Sequence, residues 1–117
     1  MVIAGDTPGR TFYRRHLQSL ATNSVEDFVD AEYHPDAFVM AGEFVVQGGD
    51  RLKRLFGAYL DAVGPATVVS VDRFEETEDA VMVETTTDTE KAGRRRVFDV
   101  FVLTAGKISQ HFTGILP

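Results

Sequence analysis

From Ala66 onward the chain carries four strand-like runs: Thr67 to Glu75, Ala80 to Thr87, Arg95 to Leu103 and Lys107 to Leu116. The turns between them, Glu76-Thr77-Glu78-Asp79, Glu90-Lys91-Ala92-Gly93 and Thr104-Ala105-Gly106, leave room only for hairpins. Strands joined this way run antiparallel, as a meander. The third run contains Val97-Phe98-Asp99-Val100-Phe101-Val102-Leu103, in which every residue but Asp99 is apolar. Such a run suits a central strand covered on both faces. Alternation sets Asp99, Phe101 and Leu103 on one face and Phe98, Val100 and Val102 on the other.

The first half reads differently. Asp6 or Thr7 caps a helix that has Pro8 in its first turn, where a missing N–H costs nothing. Phe12, Tyr13, His16, Leu17 and Leu20 then form one stripe at helical spacing. Asn23, with Glu26 three residues on, suits a capping box for a short second amphipathic helix through Val25, Phe28, Val29 and either Glu32 or Tyr33. His34-Pro35 breaks that helix, because the residue before proline is pushed out of the α region. Ala37 to Ala41 and Phe44 to Val46 read as short strands around a Gly42-Glu43 turn. A third helix follows Gly48-Gly49, with Leu52, Leu55, Phe56, Tyr59 and Val63 as its apolar stripe, and Gly64-Pro65 ends it. Helices first and strands last give an α+β fold: one curved antiparallel sheet packed against three N-terminal helices, one domain over residues 1–117.

Composition removes several classes of function. A formal net charge of −6 disfavours nucleic acid and anionic membranes as partners. The basic run Arg94-Arg95-Arg96 reads as a solvated cluster flanking a hairpin. Without cysteine there is no disulfide, thiolate chemistry or cysteine-ligated zinc. The histidines lack the close spacing of a helical zinc motif, so neither metal nor cofactor is expected. No apolar run is long enough to span a membrane, and Met1 to Gly5 is too short and uncharged for a signal peptide. The expected location is cytoplasmic.

Chemistry concentrates on Asp99. A carboxylate among apolar neighbours must be hydrogen-bonded, paired or protonated. It either ties sheet to helices or lines a pocket. In a hairpin centred on Thr104 to Lys107, Phe101 would stand opposite Ser109 and Asp99 opposite His111, so that Asp99 and His111 share a face. A neighbouring carboxylate would then orient His111 as an acid or base. His16 reaches the same region from the first helix, or is a satisfied core residue. Tyr13, Phe56, Tyr59 and Phe101 are candidate lining residues, and Tyr33 and Met40 candidates for the pocket mouth.

The order of elements resembles the nuclear-transport-factor-2-like superfamily, which includes ketosteroid isomerases and SnoaL-like polyketide cyclases, and the resemblance implies that the curved sheet is cone-shaped. Tyr33-His34-Pro35-Asp36-Ala37-Phe38-Val39, Gly48-Gly49-Asp50-Arg51-Leu52-Lys53-Arg54-Leu55 and Phe98 to Ile108 carry the likeness. By that resemblance Asp99 falls at the oxyanion-hole aspartic acid of the isomerases, which an apolar site keeps neutral. His16 falls at their oxyanion-hole tyrosine, allowing one extra residue. Ala41 stands where the isomerases have a proton-shuttling aspartate, and Glu43 is the nearest acid that could replace it. The resemblance implies an acid–base enzyme of isomerase, dehydratase or cyclase type, acting through Asp99, His111 and His16. Its substrate would be a largely apolar polyketide-, steroid- or terpenoid-like molecule. The alternatives are a non-catalytic hydrophobic-ligand binder or a dimerisation domain. The resemblance also implies a homodimer through the outer sheet face, burying Phe98, Val100 and Val102.

Overall fold

The computed structural model describes residues 5–117; Met1 to Ala4, most of the stretch read above as too short for a signal peptide, lie outside the described residues. The elements run α1 (Pro8–Thr22), α2 (Val25–Glu32), β1 (Tyr33–Ala41), β2 (Phe44–Gln47), α3 (Gly49–Val63), β3 (Ala66–Glu76), β4 (Ala80–Thr89), β5 (Gly93–Thr104) and β6 (Lys107–Ile115). They form three helices and a six-stranded sheet in the order β2-β1-β6-β5-β4-β3. The meander β3 to β6 is antiparallel throughout, as its short turns require. Between β1 and β6 the pairing is parallel, so the sheet is mixed rather than wholly antiparallel.

Local chemistry explains most boundaries. Thr7 caps α1 by accepting from the Arg10 N–H, with Pro8 inside the first turn. The cap of α2 is Ser24, which accepts from the Asp27 N–H at 3.1 Å; Asn23 instead closes α1, its amide donating to Ser19 Oγ. No side chain caps α3, whose Gly48 has φ 97°. Strand β1 begins at Tyr33, earlier than the Ala37 expected, because a register irregularity between Tyr33 and Phe38 absorbs Pro35. A bulge is where a strand tolerates a residue without an N–H. Edge strand β3 carries two such irregularities, between Val68 and Ser70 and between Val71 and Arg73.

The core lies between the concave face of the sheet and the helices. Phe12 and Tyr13 of α1, Phe28 and Val29 of α2 and Leu52 of α3 meet Tyr33, Val39, Val81, Val83, Phe101 and Ile108 from the sheet. Phe12 meets Phe101 edge-on at 5.4 Å between ring centroids, and Phe28 meets Phe56 at 5.5 Å and 90°. At the start of α1, Gly9 admits the Glu76 carboxylate of β3, which accepts the Gly9 N–H at 2.9 Å. No helix among the described residues is long and apolar enough to cross a membrane.

Candidate functional site

Strand register sorts the concave face into rows. One row is Val39, His111, Phe101, Val81 and Glu76; the next is Phe44, Ala41, Thr113, Asp99, Val83 and Phe74. Beyond lie Ile115, Val97, Thr85 and Val71, and then Arg95, Thr87 and Val68. The first row is sealed by the helices around His111 and Phe101, while the later rows open toward Phe44 and Ile115, both exposed. Asp99 stands at the boundary between core and open face.

The β5–β6 register differs from the expected one by two residues. Phe101 pairs with His111 and Asp99 with Thr113: the turn, which pairs Thr104 with Lys107, accounts for one residue of the difference, and the slip between Val102 and Leu103, where Ser109 is the extra residue of β6, for the other. The difference is even, so the face is unchanged. His111 Nε2 lies 2.7 Å from Asp99 Oδ1, and His111 Nδ1 lies 2.9 Å from the Tyr33 hydroxyl. A carboxylate only accepts, so Nε2–H donates to Asp99; Nδ1 of the neutral ring then accepts from Tyr33 O–H. Burial, followed by the charges of Asp99 and Glu32, pushes the Tyr33 hydroxyl well above its ordinary range, keeping it a donor.

A second imidazole–carboxylate pair lies beside the first. His16 Nδ1 is 3.1 Å from Glu32 Oε1, and Arg15 Nε is 3.6 Å from Glu32 Oε2. Burial pushes His16 below the ordinary histidine range, against the Glu32 hydrogen bond. The neutral ring donates Nδ1–H to Glu32. Burial alone would raise Glu32, but the bond from His16 and the Arg15 guanidinium outweigh it and hold the carboxyl below its ordinary value. Phe101 separates the pairs, its ring 4.8 Å from His16 and 4.4 Å from His111. The helical stripe puts either Glu32 or Tyr33 on the face of Phe28 and Val29, but nothing in it identifies Glu32 as the partner of His16.

The remaining candidates divide. Tyr13 packs against Phe74 and Phe101, and its hydroxyl has no hydrogen-bond partner among the described residues. Burial and then the charge of Asp99 raise that hydroxyl. Phe56 is half-buried against Phe28 and Tyr33. Tyr59 is exposed and accepts a hydrogen bond from Arg95 Nη2 at 2.9 Å. Tyr33 is fully buried, and Met40 is not at a pocket mouth. Met40 is aligned with Val45 and Phe112 on the convex face, because alternation from buried Val39 turns it outward. Ala41 shares the row of Asp99, with one strand between them, whereas Glu43 is exposed in the β1–β2 turn. A groove of about 280 Å³ lies elsewhere, between Val29, Tyr33, Pro35, Gly49, Lys53 and Lys107, and includes neither His16, Asp99 nor His111. Among the described residues, no group of three or more His, Asp or Glu side chains could hold a metal.

The sequence matches no protein-family model and no curated protein. Solved structures do match. An NTF2-like protein of Anabaena variabilis superposes with a TM-score of 0.78 over 100% of this chain and 96% of its own, at 18% identity. The chain has the nuclear-transport-factor-2-like fold. A candidate polyketide cyclase of Sinorhizobium meliloti matches at TM-score 0.74 and 15% identity, over 88% of this chain and 93% of its own. A candidate isomerase of the SnoaL-like family from Agrobacterium tumefaciens matches at 0.73 and 9% identity, over 92% and 99%. The nuclear-transport-factor-2-like fold is thus shared with proteins of differing chemistry, and the reading of function rests on the site.

Proposed function

We propose that the concave face binds a small, largely apolar carbonyl compound and that Asp99 moves a proton on it, as in an isomerase, dehydratase or cyclase. One observation carries this reading: the Asp99 side chain is 22% exposed on an apolar face while His111 holds one of its oxygens at 2.7 Å. Oδ1 is committed to His111, which leaves Oδ2 for a ligand. Both nitrogens of His111 are engaged, so it positions Asp99 rather than touching substrate. The Tyr13 hydroxyl, without a hydrogen-bond partner among the described residues, is the matching donor.

In the proposed step, Asp99 removes a proton from the carbon beside the carbonyl. The C–H pair becomes the enolate double bond, and negative charge moves to the oxygen, where Tyr13 O–H donates to it. Return of the proton to a different carbon completes an isomerisation. The isomerase base position is Ala41, so the base here is Asp99 itself. One positioned proton transfer contributes roughly 10²- to 10⁴-fold. Asp99→Asn should therefore lower turnover of cyclic β,γ-unsaturated ketones by about that factor, as followed by conjugated-enone absorbance; equal turnover would refute the role.

A second reading, a binder without turnover, draws on Ala41 and on the engaged nitrogens of His111. Binding of the same ketones without deuterium exchange at their α-carbons would select it. For the convex face, we propose pairing with a second copy. It places Met40, Val45, Phe98, Val100, Val102 and Phe112 side by side, while Arg73, Glu84, Arg96 and Asp72 form an ion-pair network at the β3–β4 side.

A further inference from the structure

The run Arg94-Arg95-Arg96, read from sequence as one solvated cluster, splits in the structure. Arg94 and Arg96 turn to the convex face. Arg94 pairs with Asp88 at 2.6 Å, and Arg96 with Glu84 and Asp72 at 3.5 and 3.9 Å. Arg95 turns to the concave face, opposite Thr87. It is half-buried there, and no carboxylate among the described residues pairs with it. Among the described residues its one hydrogen bond is to the hydroxyl of Tyr59, whose ring centroid lies 6.0 Å from its guanidinium carbon, and its Nε is buried with no hydrogen-bond partner. In a chain with 18 acidic and 12 basic residues, an inward arginine left without an acid is unusual. A buried N–H with nothing to donate to calls for an acceptor from outside the chain.

The position of Arg95 suggests what that acceptor belongs to. Arg95 and Asp99 are on the same face of the same strand, four residues and about 13 Å of strand apart. Between them lies Val97, flanked by Ile115 and, across Thr85, by Val71. The floor is apolar, with the proton-moving carboxylate at its inner end and an unpaired guanidinium at its outer end. An arginine fork suits a planar carboxylate, which it binds through charge-assisted hydrogen bonds.

We infer that the ligand of this face is an amphipathic organic acid, its carboxylate held by Arg95 and its apolar body lying over Val97 toward Asp99. This rests on the reading of the concave face as a ligand site and narrows its substrate class. The same arrangement excludes a ligand carboxylate from the Asp99 end, where like charges would meet, and so fixes which way round the molecule enters.

The test uses two isosteric probes, 2-naphthoate and neutral 2-naphthamide, titrated into the full chain at a pH near 7 and followed by NMR shifts. The acid should bind more tightly than the amide by roughly 10- to 100-fold, the range of a hydrogen bond to a charged group. Arg95→Gln should erase that preference while leaving the amide unchanged, and Arg94→Gln should preserve it. Equal affinity for acid and amide, a preference that survives Arg95→Gln, or no naphthoate binding up to its solubility would each overturn the inference. Acid preference without turnover of any ketone would sink the acid–base reading and leave Arg95 as the anchor of a binder. Turnover without acid preference would do the reverse.

Discussion

Asp99 meets His111 diagonally, from neighbouring rows of the β5–β6 ladder, because one extra residue at Ser109 separates the turn from the rest of the hairpin. Were Ser109 paired with Val102 instead of bulged, the register of Thr104 with Lys107 and Leu103 with Ile108 would continue, and His111 would stand opposite Val100 on the convex face. A one-residue slip inverts every side chain beyond it. Deleting Ser109 removes the bulge without such a slip: Val102 stays opposite Gln110 and Phe101 opposite His111, so the His111–Asp99 bond should be kept. The expected result is a retained cooperative thermal transition; its loss would show that the hairpin depends on the bulge itself and not only on the register beyond it.

Tyr33 sets the tautomer of His111 from a buried position. Tyr33→Phe keeps the ring contacts with Phe28 and Phe56 but leaves a buried nitrogen without its donor, which costs about 1–3 kcal/mol. Chemical denaturation should show that loss. Imidazole ¹⁵N shifts should also report a mixture of tautomers where the parent has Nε2–H alone. Unchanged shifts would mean that Asp99 alone fixes the ring.

Acid should destabilise the fold through the His16–Glu32 pair. The folded state holds His16 below its ordinary value of 6.5 and Glu32 below 4.5. Below each of these values the unfolded chain binds more protons than the folded one, so stability falls as pH falls. The His16 contribution is complete above about pH 6.5, and that of Glu32 above about 4.5. In a Tm series from pH 7 down to 5, His16→Gln, which retains an N–H for Glu32, should flatten the slope. An unaltered slope would place the titrating group elsewhere.

Gly9 brings α1 against the β3–β4 hairpin. A Cβ there would collide with the Glu76 carboxylate and lie 3.0 Å from Val81 Cγ2. Gly9→Ala should cost about 1–3 kcal/mol, as overpacking does. In a Glu76→Ala background the same change should cost less, because the two residues share one contact. Strict additivity in the double-mutant cycle would exclude that shared origin.

If the convex face pairs with a second copy, Phe112→Lys should convert a dimer to a monomer in sedimentation equilibrium without lowering Tm measured at low concentration. A parent chain that is monomeric at all concentrations would end this proposal.

The three helices were legible because each carries an apolar stripe of period 3.6, and the meander because its turns are short. The missing information was long-range. The β1–β6 pairing joins residues far apart in sequence, and no local pattern marks it as parallel. The Ser109 bulge is invisible in a run that alternates acceptably either way, which is why Asp99 and His111 were placed on the right face in the wrong register. Glu32 ends an amphipathic helix where a charge ordinarily faces water; only the tertiary fold turns it to His16. The inward turn of Arg95 follows from strand alternation, but among three consecutive arginines the sequence does not show which one lacks an acid.

The two irregularities in β3 bear on how the chain behaves when crowded. β3 is one open border of an unclosed sheet and spans Ala66–Glu76, long enough to template a strand from another molecule. The slips after Val68 and Val71 interrupt its hydrogen-bonding row, and exposed Asp72, Arg73 and Glu75 follow them. An incoming strand would find only short stretches of matching donors and acceptors before meeting charge. Growth by strand addition, the route to fibrils, is thereby closed off at the border most open to it, and contact between copies is steered to faces that can bury side chains.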